Sequence, residues 1–183
     1  MHQLAQFMAA QLRALRQQRG WSLTEAAQHT GVSKAMLGQI ERSESSPTVA
    51  TLWKIATGFS VPFTTFIESG SLATEPARPV IHDGNQPISI TPLFPHDAQF
   101  NMDMLLIEMA PGSQSHSDPH QPGVVEHVWV VRGILAIKVD TRWLRLTQGE
   151  TLRFAADVPH SYANAGNTVM QFHNVVHYPN AKG

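Results

Sequence analysis

Apolar residues recur at helical spacing through the first 68 positions of the chain. Leu4, Met8, Leu12 and Leu15 follow one another three or four residues apart, which places them on one face of a helix. Gly20 ends this pattern. The sequence therefore begins with a predicted amphipathic helix whose apolar face can join a helical core.

Two short helices are predicted next, and capping residues mark where they begin. Ser22 and Glu25 match a capping box, in which each side chain satisfies a backbone N–H of the first turn. Ser33 is the N-cap candidate of the following helix, and Gly31 supplies the backbone freedom that a tight turn requires. The predicted helices cover residues 22–29 and 33–41.

A fourth and a fifth helix complete the amino-terminal region. Pro47 stands at a position favoured at the start of a helix, where its missing N–H has no effect. This helix is predicted to end at Gly58, and a short last helix follows Pro62. We expect a bundle of five helices in a domain of residues 1–70.

The sequence pattern changes after Gly70. Residues 71–87 are rich in proline, glycine and polar residues, which is typical of a linker. From Ile88 onward the chain consists of about seven short runs of β-type residues separated by turns, with no helical pattern between them. This spacing predicts a small antiparallel barrel or sandwich over residues 88–183. The fold class is therefore α + β, with two domains.

Composition supports a globular protein inside the cell. Of the 183 residues, 42% are hydrophobic and 15% are charged, and no apolar run approaches the roughly 20 residues that span a bilayer. The first helix lacks the basic, apolar and small-residue regions of a secretory signal. Cysteine is absent, so there is no disulfide framework and no thiolate metal ligand. We expect a cytoplasmic protein that does not associate with membranes.

Charged residues and histidines are distributed unevenly. The first 70 residues carry six basic and four acidic side chains, whereas the remainder carries seven basic and ten acidic ones. Eight of the ten histidines lie beyond residue 70. A basic front and an acidic, histidine-rich back indicate two modules with different partners.

The two short helices have the arrangement of a DNA-reading helix pair. The apolar residues that would anchor the second helix in the core are Val32, Leu37 and Ile40. The residues left facing outward are Lys34, Ala35, Gly38 and Gln39. Glutamine can pair with adenine, and lysine can reach guanine or a phosphate. A helical bundle without a role in DNA binding is the alternative.

Residues 20–56 resemble the helix-turn-helix of the lambda-repressor and Xre-type regulators. The resemblance implies sequence-specific binding of double-stranded DNA by a homodimer, with half-sites about one helical turn apart. The implied base contacts are Ser33, Lys34, Ala35, Gly38 and Gln39. The implied contacts near the DNA backbone are Ser22, Thr24 and Arg42. Charge alone adds Arg16 and Arg19 as phosphate contacts, with solvated surface arginines as the alternative.

A cluster of three histidines and one glutamate precedes and enters a predicted strand of the second region. Its members, which fall within a dozen residues, are His116, His120, Glu126 and His127. Two segments here resemble the two motifs of the cupin barrel, a double-stranded β-helix fold. The spacings that match run from Glu126 to Gly133 in the first motif and through Gly149, His160 and Asn164 in the second. The first segment begins at Gly112, and its histidines stand at His116 and His120, away from the usual histidine places of the family. The sequence departs from the family pattern at Pro119, Gln121, Ala155 and Asp157.

The chemistry of these residues suits a divalent metal. Strand alternation puts Glu126 and His127 on opposite faces, so only Glu126 is expected inside the barrel. With His120 and His160 it would form a site of two nitrogen ligands and one oxygen ligand, open for water or an effector. Zinc is the first choice for such a site, with nickel, manganese and iron as alternatives. His116 is a candidate fourth ligand, and without a metal the same residues could hydrogen-bond an organic effector directly.

These features predict a transcriptional regulator whose cupin domain binds a small effector. The candidates for lining the effector pocket are Met104, Tyr162, Phe172 and Asn174. The alternative is a metal-dependent cupin enzyme with an accessory DNA-binding domain, because an open metal position suits such chemistry; no catalytic residue is assigned. A cupin that only dimerises is a third interpretation. Residues 33–58 show a closer similarity to short Xre–cupin regulators of the sulfur-utilisation type, which implies a sulfur compound or an amino acid as effector.

Overall fold

The structure is a computed structural model that describes residues 2–67, 81–82 and 87–179. The chain divides into two compact units, residues 1–79 and 80–183. The first unit is helical and the second consists of strands, so the α + β organisation follows the change in sequence pattern after Gly70.

The first unit contains four α-helices and one turn of 3-10 helix among the described residues. They are α1 (His2–Gln18), α2 (Leu23–Thr30), α3 (Lys34–Glu41), α4 (Val49–Phe59) and the 3-10 helix Phe63–Phe66. The prediction of five α-helices is therefore wrong by one. The segment after Pro62 closes with a hydrogen bond from the Thr65 N–H to the Pro62 carbonyl, an i to i+3 bond that forms a 3-10 turn. None of the described helices is long and apolar enough to cross a membrane.

The capping residues predicted for α2 and α3 are confirmed. Ser22 Oγ accepts a hydrogen bond from the Glu25 N–H at 3.2 Å, and the Glu25 carboxylate accepts one from the Ser22 N–H at 2.7 Å. Ser33 Oγ accepts from the Met36 N–H at 3.2 Å. Gly31 ends α2 with a φ of 66°, which glycine adopts without strain. Local sequence therefore determines the turn between the two helices.

Helix α4 begins and ends later than predicted. Its N-cap is Thr48, whose hydroxyl accepts a hydrogen bond from the Thr51 N–H at 3.2 Å, so Pro47 stands outside the helix. The helix continues past Gly58. A Cβ at Gly58 would lie 2.6 Å from the carbonyl oxygen of His29 in α2. The glycine therefore permits the close approach of two helices and does not terminate one.

The apolar faces of these helices meet in one core. The predicted anchors of α3 are buried as expected: Val32, Leu37 and Ile40. The largest fully buried side chains of the unit are Leu12, Leu37, Ile40, Leu52, Ile55, Phe59, Phe63 and Phe66. Helical periodicity therefore predicted most of this core correctly.

A buried ion pair joins α1 to α3. Arg16 Nε lies 2.6 Å from Glu41 Oε1, Arg16 Nη2 lies 2.9 Å from Oε2, and Nη1 donates to the Trp21 carbonyl at 3.0 Å. The Glu41 side chain is only 6% exposed, so its charge depends on this partner. Arg19 donates to the Phe59 carbonyl at 2.9 Å. Both arginines added as phosphate contacts therefore make hydrogen bonds within the helical unit.

The second unit contains ten strands among the described residues. They are β1 (Ile81–His82), β2 (Ile88–Asp97), β3 (Met102–Met109), β4 (Gln114–Ser117), β5 (Val125–Arg132), β6 (Ile134–Val139), β7 (Arg142–Thr147), β8 (Thr151–Ala155), β9 (His160–Asn164) and β10 (Met170–His177). Strands β4 and β9 are missing from the prediction, because their short, polar sequences lack a run of β-type residues. Strand β1 lies within the predicted linker 71–87 and pairs with β2. The other linker positions before residue 87 lie outside the described residues, and the domain boundaries stay a prediction.

The strands form two antiparallel sheets and not a closed barrel, which corrects the barrel prediction. The six-stranded sheet has the order β1-β2-β3-β10-β5-β8, and the four-stranded sheet has the order β4-β9-β6-β7. Buried residues alternate with half-buried or exposed ones along β3, β5 and β10, so one face of the larger sheet is covered. Tyr162 of β9 stacks on Phe172 of β10 at 5.2 Å between ring centroids. The covered faces of the two sheets therefore meet at this level.

Replacing Gly58 by alanine is expected to destabilise the first unit by about 1–3 kcal/mol, the usual range for overpacking. The added methyl group would lie 2.6 Å from the His29 oxygen and 2.6 Å from Thr30 Cα. This reverses the usual sign, because alanine normally stabilises a helix relative to glycine. Urea denaturation followed by far-ultraviolet circular dichroism measures the change.

Ser60→Gly is the matched control at the end of the same helix. Ser60 has a φ of 57°, a conformation in which glycine is favoured, so this variant should be as stable as the parent or more so. A free energy of unfolding that stays equal or rises in Gly58→Ala would contradict the close packing of α2 on α4.

Candidate functional site

The outward face of α3 carries the side chains predicted to read DNA. Lys34, Ala35 and Gln39 are exposed, and Arg42, which follows the last residue of the helix, is exposed as well. Lysine and glutamine on such a face can reach the guanine, adenine and phosphate groups of a major groove. The structure therefore brings four of the predicted DNA contacts together on one surface.

Gly38, another predicted base contact, is buried. A Cβ at this position would stand 3.2 Å from Arg42 Nη1 and 3.7 Å from Leu23 Cδ1. The Arg42 side chain thus lies back along the helix and covers Gly38, as side chains near the end of a helix do. The expectation that Gly38 faces outward is corrected: it provides room for Arg42.

The predicted contacts Ser22, Thr24 and Ser33 lie at the starts of α2 and α3, and all three are exposed. The hydroxyl oxygens of the two serines accept backbone N–H groups as caps. Each hydroxyl keeps its own O–H for donation. Helix N-termini favour anions, so these positions suit DNA phosphates.

A second group of polar side chains lies in the second unit around Glu126 of β5. The Glu126 side chain is 1% exposed, and its Oε1 lies 3.0 Å from His120 Nε2 and 3.5 Å from His160 Nε2. Its Oε2 accepts hydrogen bonds from the Tyr162 hydroxyl and from Asn174 Nδ2, the latter at 2.8 Å. Four polar side chains therefore share one buried carboxylate.

Both sheets contribute to this group. Glu126 and Asn174 lie on neighbouring strands of the six-stranded sheet. His160 and Tyr162 lie two residues apart on β9 and so project from the same face of the four-stranded sheet. His120 lies in the loop before β5, and its backbone N–H donates to the Ala156 carbonyl at 2.9 Å. The site is thus held between the facing sides of the two sheets.

The hydrogen bonds of His160 determine its tautomer. Its Nδ1 lies 2.9 Å from the Val158 carbonyl oxygen, and because a carbonyl can only accept, Nδ1 carries a proton. In the neutral ring, Nε2 then carries a lone pair. This lone pair faces Glu126 Oε1, and Nε2 has no hydrogen-bond partner. Either a proton or a cation at Nε2 removes this repulsion between two acceptors.

Mutual interactions shift the pKa values of this group. Burial alone raises the pKa of Glu126, but its interactions with His120 and His160 hold it well below its ordinary value of 4.5. Burial lowers the pKa of His160, but the Glu126 carboxylate outweighs burial and raises it above 6.5. Burial and the same carboxylate raise the pKa of Tyr162 well above 10, so its hydroxyl remains a donor.

Three members of this group could hold a metal ion. The ligand atoms of His120, Glu126 and His160 lie within 4.8 Å of one another, and all three residues are buried. Two imidazoles and one carboxylate are a donor set that suits zinc and related divalent ions. The unpartnered Nε2 of His160 fits the requirement for a lone pair directed at a cation.

His116, the candidate fourth ligand, stands apart from these three. Its side chain is 63% exposed, its Nδ1 lies 2.9 Å from Ser161 Oγ, and its Nε2 lies 3.9 Å from Asp118. Ser161 projects from the opposite face of β9 to His160. His127 lies on the outer face of β5, edge-on to His177, as strand alternation predicts.

Three of the four predicted pocket residues lie at the cluster. Tyr162 and Asn174 bind Glu126, and Phe172 stacks on Tyr162. Met104 does not join them, because it pairs in register with Val175, which faces the other side of β10 from Asn174.

Phe154 is a residue of this site that the sequence did not single out. It lies opposite Glu126 in register and packs edge-on against His160 at 5.4 Å between ring centroids. Its β-type run predicted a core position but gave no signal for the contact with histidine.

Known proteins share both parts of this arrangement. The family model described as Helix-turn-helix matches residues 12–66, and the one described as Cupin domain matches residues 105–176. The HTH-type transcriptional regulator SutR of Escherichia coli (strain K12) is 54% identical over 180 residues, which cover 98% of this chain and 99% of SutR. The chain belongs to this family of HTH-type transcriptional regulators.

Solved structures agree with this assignment. The regulator superimposes on an HTH_3 family transcriptional regulator from Vibrio cholerae with a TM-score of 0.87 and 41% identity, covering 97% of this chain and 98% of that one. The Cupin_2 domain of an XRE family transcriptional regulator from Enterobacter cloacae matches with a TM-score of 0.51 and 42% identity, covering 52% of this chain and 100% of that domain. The chain is a DNA-binding transcriptional regulator with a cupin domain, and its family membership decides against the enzyme interpretation.

The metal-free regulator is expected to lose stability as the pH rises through the raised pKa of His160. Because this pKa lies above the unfolded value of 6.5, the contribution of His160 is complete below pH 6.5 and disappears on deprotonation. Glu126, with a lowered pKa, contributes fully above pH 4.5 and loses its contribution as the pH falls through its folded value. Free energies of unfolding measured by urea denaturation in EDTA should therefore be highest between about pH 4.5 and 6.5.

The exposed His116 supplies the control for this pH dependence. His116→Gln should keep the parent's pH dependence, whereas His160→Gln should flatten the loss above pH 6.5. A parent protein whose stability is constant or increases between about pH 6.5 and 9 would contradict the coupling of His160 to Glu126.

Proposed function

We propose that this regulator is a cytoplasmic homodimer that reads an operator with α3 and senses a small effector at the Glu126 cluster of its cupin unit. The single observation that carries the sensing part is the convergence of buried polar groups on Glu126, two of which keep atoms without a partner. Buried polar atoms without partners are rare unless a ligand, ion or water completes them.

For DNA recognition we propose that Lys34, Ala35 and Gln39 contact bases. Ser22, Thr24 and Arg42 are proposed to contact the sugar–phosphate backbone. Ser33, a base contact by resemblance, is proposed to join them because it caps the start of α3, where anions bind. Their exposure on one surface supports this assignment. One such helix reads one half-site, and regulators of the type that residues 20–56 resemble bind as dimers, which supports the homodimer.

For the cupin unit we propose a divalent cation, zinc first, held by His120, Glu126 and His160. The donor set and the mutual distances within 4.8 Å support this proposal. A bound cation would polarise an effector atom and replace the proton on His160. His116 would act outside the metal site.

The effector proposed is a sulfur compound or an amino acid, as the resemblance of residues 33–58 to sulfur-utilisation regulators implies. Asn174 donates through Nδ2 to Glu126, so its Oδ1 must face away from that carboxylate. This Oδ1 is buried and has no hydrogen-bond partner. An effector with an N–H, O–H or S–H donor would satisfy it, and amino acids and thiols carry such donors.

Replacing Gln39 by alanine is expected to weaken binding to the operator by about 1–3 kcal/mol, because a bidentate base contact is lost. The operator is the duplex that the wild-type chain selects from a random-sequence library, and fluorescence anisotropy measures its dissociation constant. Lys34→Ala should weaken binding and also change the salt dependence. Lys54→Ala removes the same charge from α4 and should have a smaller effect. Equal affinity of the wild type and Gln39→Ala would contradict base reading by α3.

Native mass spectrometry of the purified regulator should show a dimer that carries one divalent cation per chain. Glu126→Gln and His160→Gln each remove one of three ligands, and we expect loss of at least tenfold in metal affinity when zinc is titrated back. His116→Gln should bind zinc as the wild type does, because its ring lies outside the group. Wild-type binding by the Glu126→Gln variant would contradict the metal assignment. A small molecule retained in the same spectrum would identify the effector directly.

A further inference from the structure

Arg42, proposed above to contact the DNA backbone, already binds a carboxylate in the structure. Its Nε lies 2.8 Å from Glu44 Oε1, and its Nη2 lies 2.7 Å from Glu44 Oε2. This two-pronged arrangement is the one in which a guanidinium group binds a phosphate. The carboxylate of Glu44 therefore occupies the edge of Arg42 that a DNA phosphate would use.

The backbone holds Glu44 beside Arg42. At the end of α3, the Ser43 N–H donates to the Ile40 carbonyl and the Glu44 N–H donates to the Gln39 carbonyl, both at 2.9 Å. Ser43 is left-handed, with a φ of 56°. These are the two hydrogen bonds of a Schellman motif, so the position of Glu44 follows from the helix end.

Gly38 leaves the room in which the Arg42 side chain lies. Because Gly38 has no side chain, the Arg42 guanidinium can lie across α3, where a Cβ would stand 3.2 Å from Nη1. At about 100° per residue, Arg42 projects between Lys34 and Gln39, within an arc of roughly 140°. The Glu44 carboxylate that binds Arg42 is thus centred on the surface proposed to face DNA.

The ion pair does not contribute much to the core of the fold. The side chains of Arg42 and Glu44 are 54% and 53% exposed, and pairs of this kind have small effects on stability. The hydrogen bonds from Arg42 lower the pKa of Glu44, so its carboxylate stays charged at neutral pH. A role in DNA binding explains the geometry better than a role in folding.

We propose that Glu44 restrains DNA binding by occupying the phosphate-binding edge of Arg42. The inference rests on the proposed role of α3 in reading DNA. To bind, a DNA phosphate must replace the Glu44 carboxylate, and the displaced carboxylate then lies close to the negative backbone. At an operator, contacts of neighbouring side chains to bases offset the repulsion between this carboxylate and the DNA backbone. Duplexes that offer only phosphates do not supply those contacts.

The test uses Glu44→Gln in the full chain, with the duplex that the wild type selects from a random library as the probe. We expect the affinity at moderate salt to rise about three- to tenfold. We also expect the slope of log affinity against log salt to become steeper by about one unit, because Arg42, without the opposing carboxylate, neutralises about one more phosphate and so displaces about one more counterion from the DNA. A change that altered only folding would not move this slope.

A double-mutant cycle separates the action through Arg42 from a general effect of charge. Glu44→Gln is compared in the parent and in an Arg42→Gln background, where its gain should fall to less than half. An equal gain in both backgrounds would overturn the proposal. Unchanged affinity and an unchanged salt slope in Glu44→Gln would also overturn the proposal. In that case, wild-type binding to the selected duplex would still support the proposed function. A wild type that selects no duplex would reject the proposed function and this inference with it. Circular dichroism of the three variants checks that each is folded.

Discussion

The second unit depends on one constraint: a carboxylate, that of Glu126, is buried between two sheets. A buried charge without partners is strongly unfavourable, so every element near it must bring a donor or a cation. The Tyr162 hydroxyl, the Asn174 amide and two histidines meet this requirement from two strands and a loop. The spacing of the two sheets and the conformation of the loop before β5 are therefore tied to one side chain.

The first unit also contains a buried glutamate, Glu41, but the partner that neutralises its charge is of a different kind. Glu41 is neutralised by Arg16, whose guanidinium stays charged at any physiological pH, so this pair acts as a permanent link between α1 and α3. Glu126 is neutralised by imidazoles, which can lose a proton or bind a metal. The same residue type thus gives a fixed connection in one unit and an adjustable one in the other.

Local chemistry was predictable from the sequence, whereas contacts between distant residues were not. The caps at Ser22 and Ser33 depend on residues three positions apart, and both form as expected. The sequence pattern predicts a helix end at Gly58, because the contact of this glycine with α2 depends on helix packing that periodicity does not encode. The pattern likewise predicts an outward Gly38, because it does not encode how the long Arg42 side chain covers this position.

The candidate site shows the same division. Alternation along β5 correctly put Glu126 inside and His127 outside. Motif spacing alone suggested His116, but pairing of β4 with β9, both missed by pattern, puts its ring on the other side from His160. The prediction that Met104 lines the pocket is wrong because the register between β3 and β10 decides which alternate residues of β3 face inward. Register is a property of two strands and is not encoded in either one alone.

The position of β10 also affects the order in which the protein can be completed during synthesis. This strand comes after all the other described strands along the chain, yet it lies between β3 and β5 in the sheet and supplies Asn174 to Glu126. Until β10 leaves the ribosome, the large sheet is in two pieces and the buried carboxylate lacks one donor. The helical unit has no such dependence and can fold early, as amino-terminal domains do. A growing chain would thus have its DNA-binding unit in place before its cupin unit is finished.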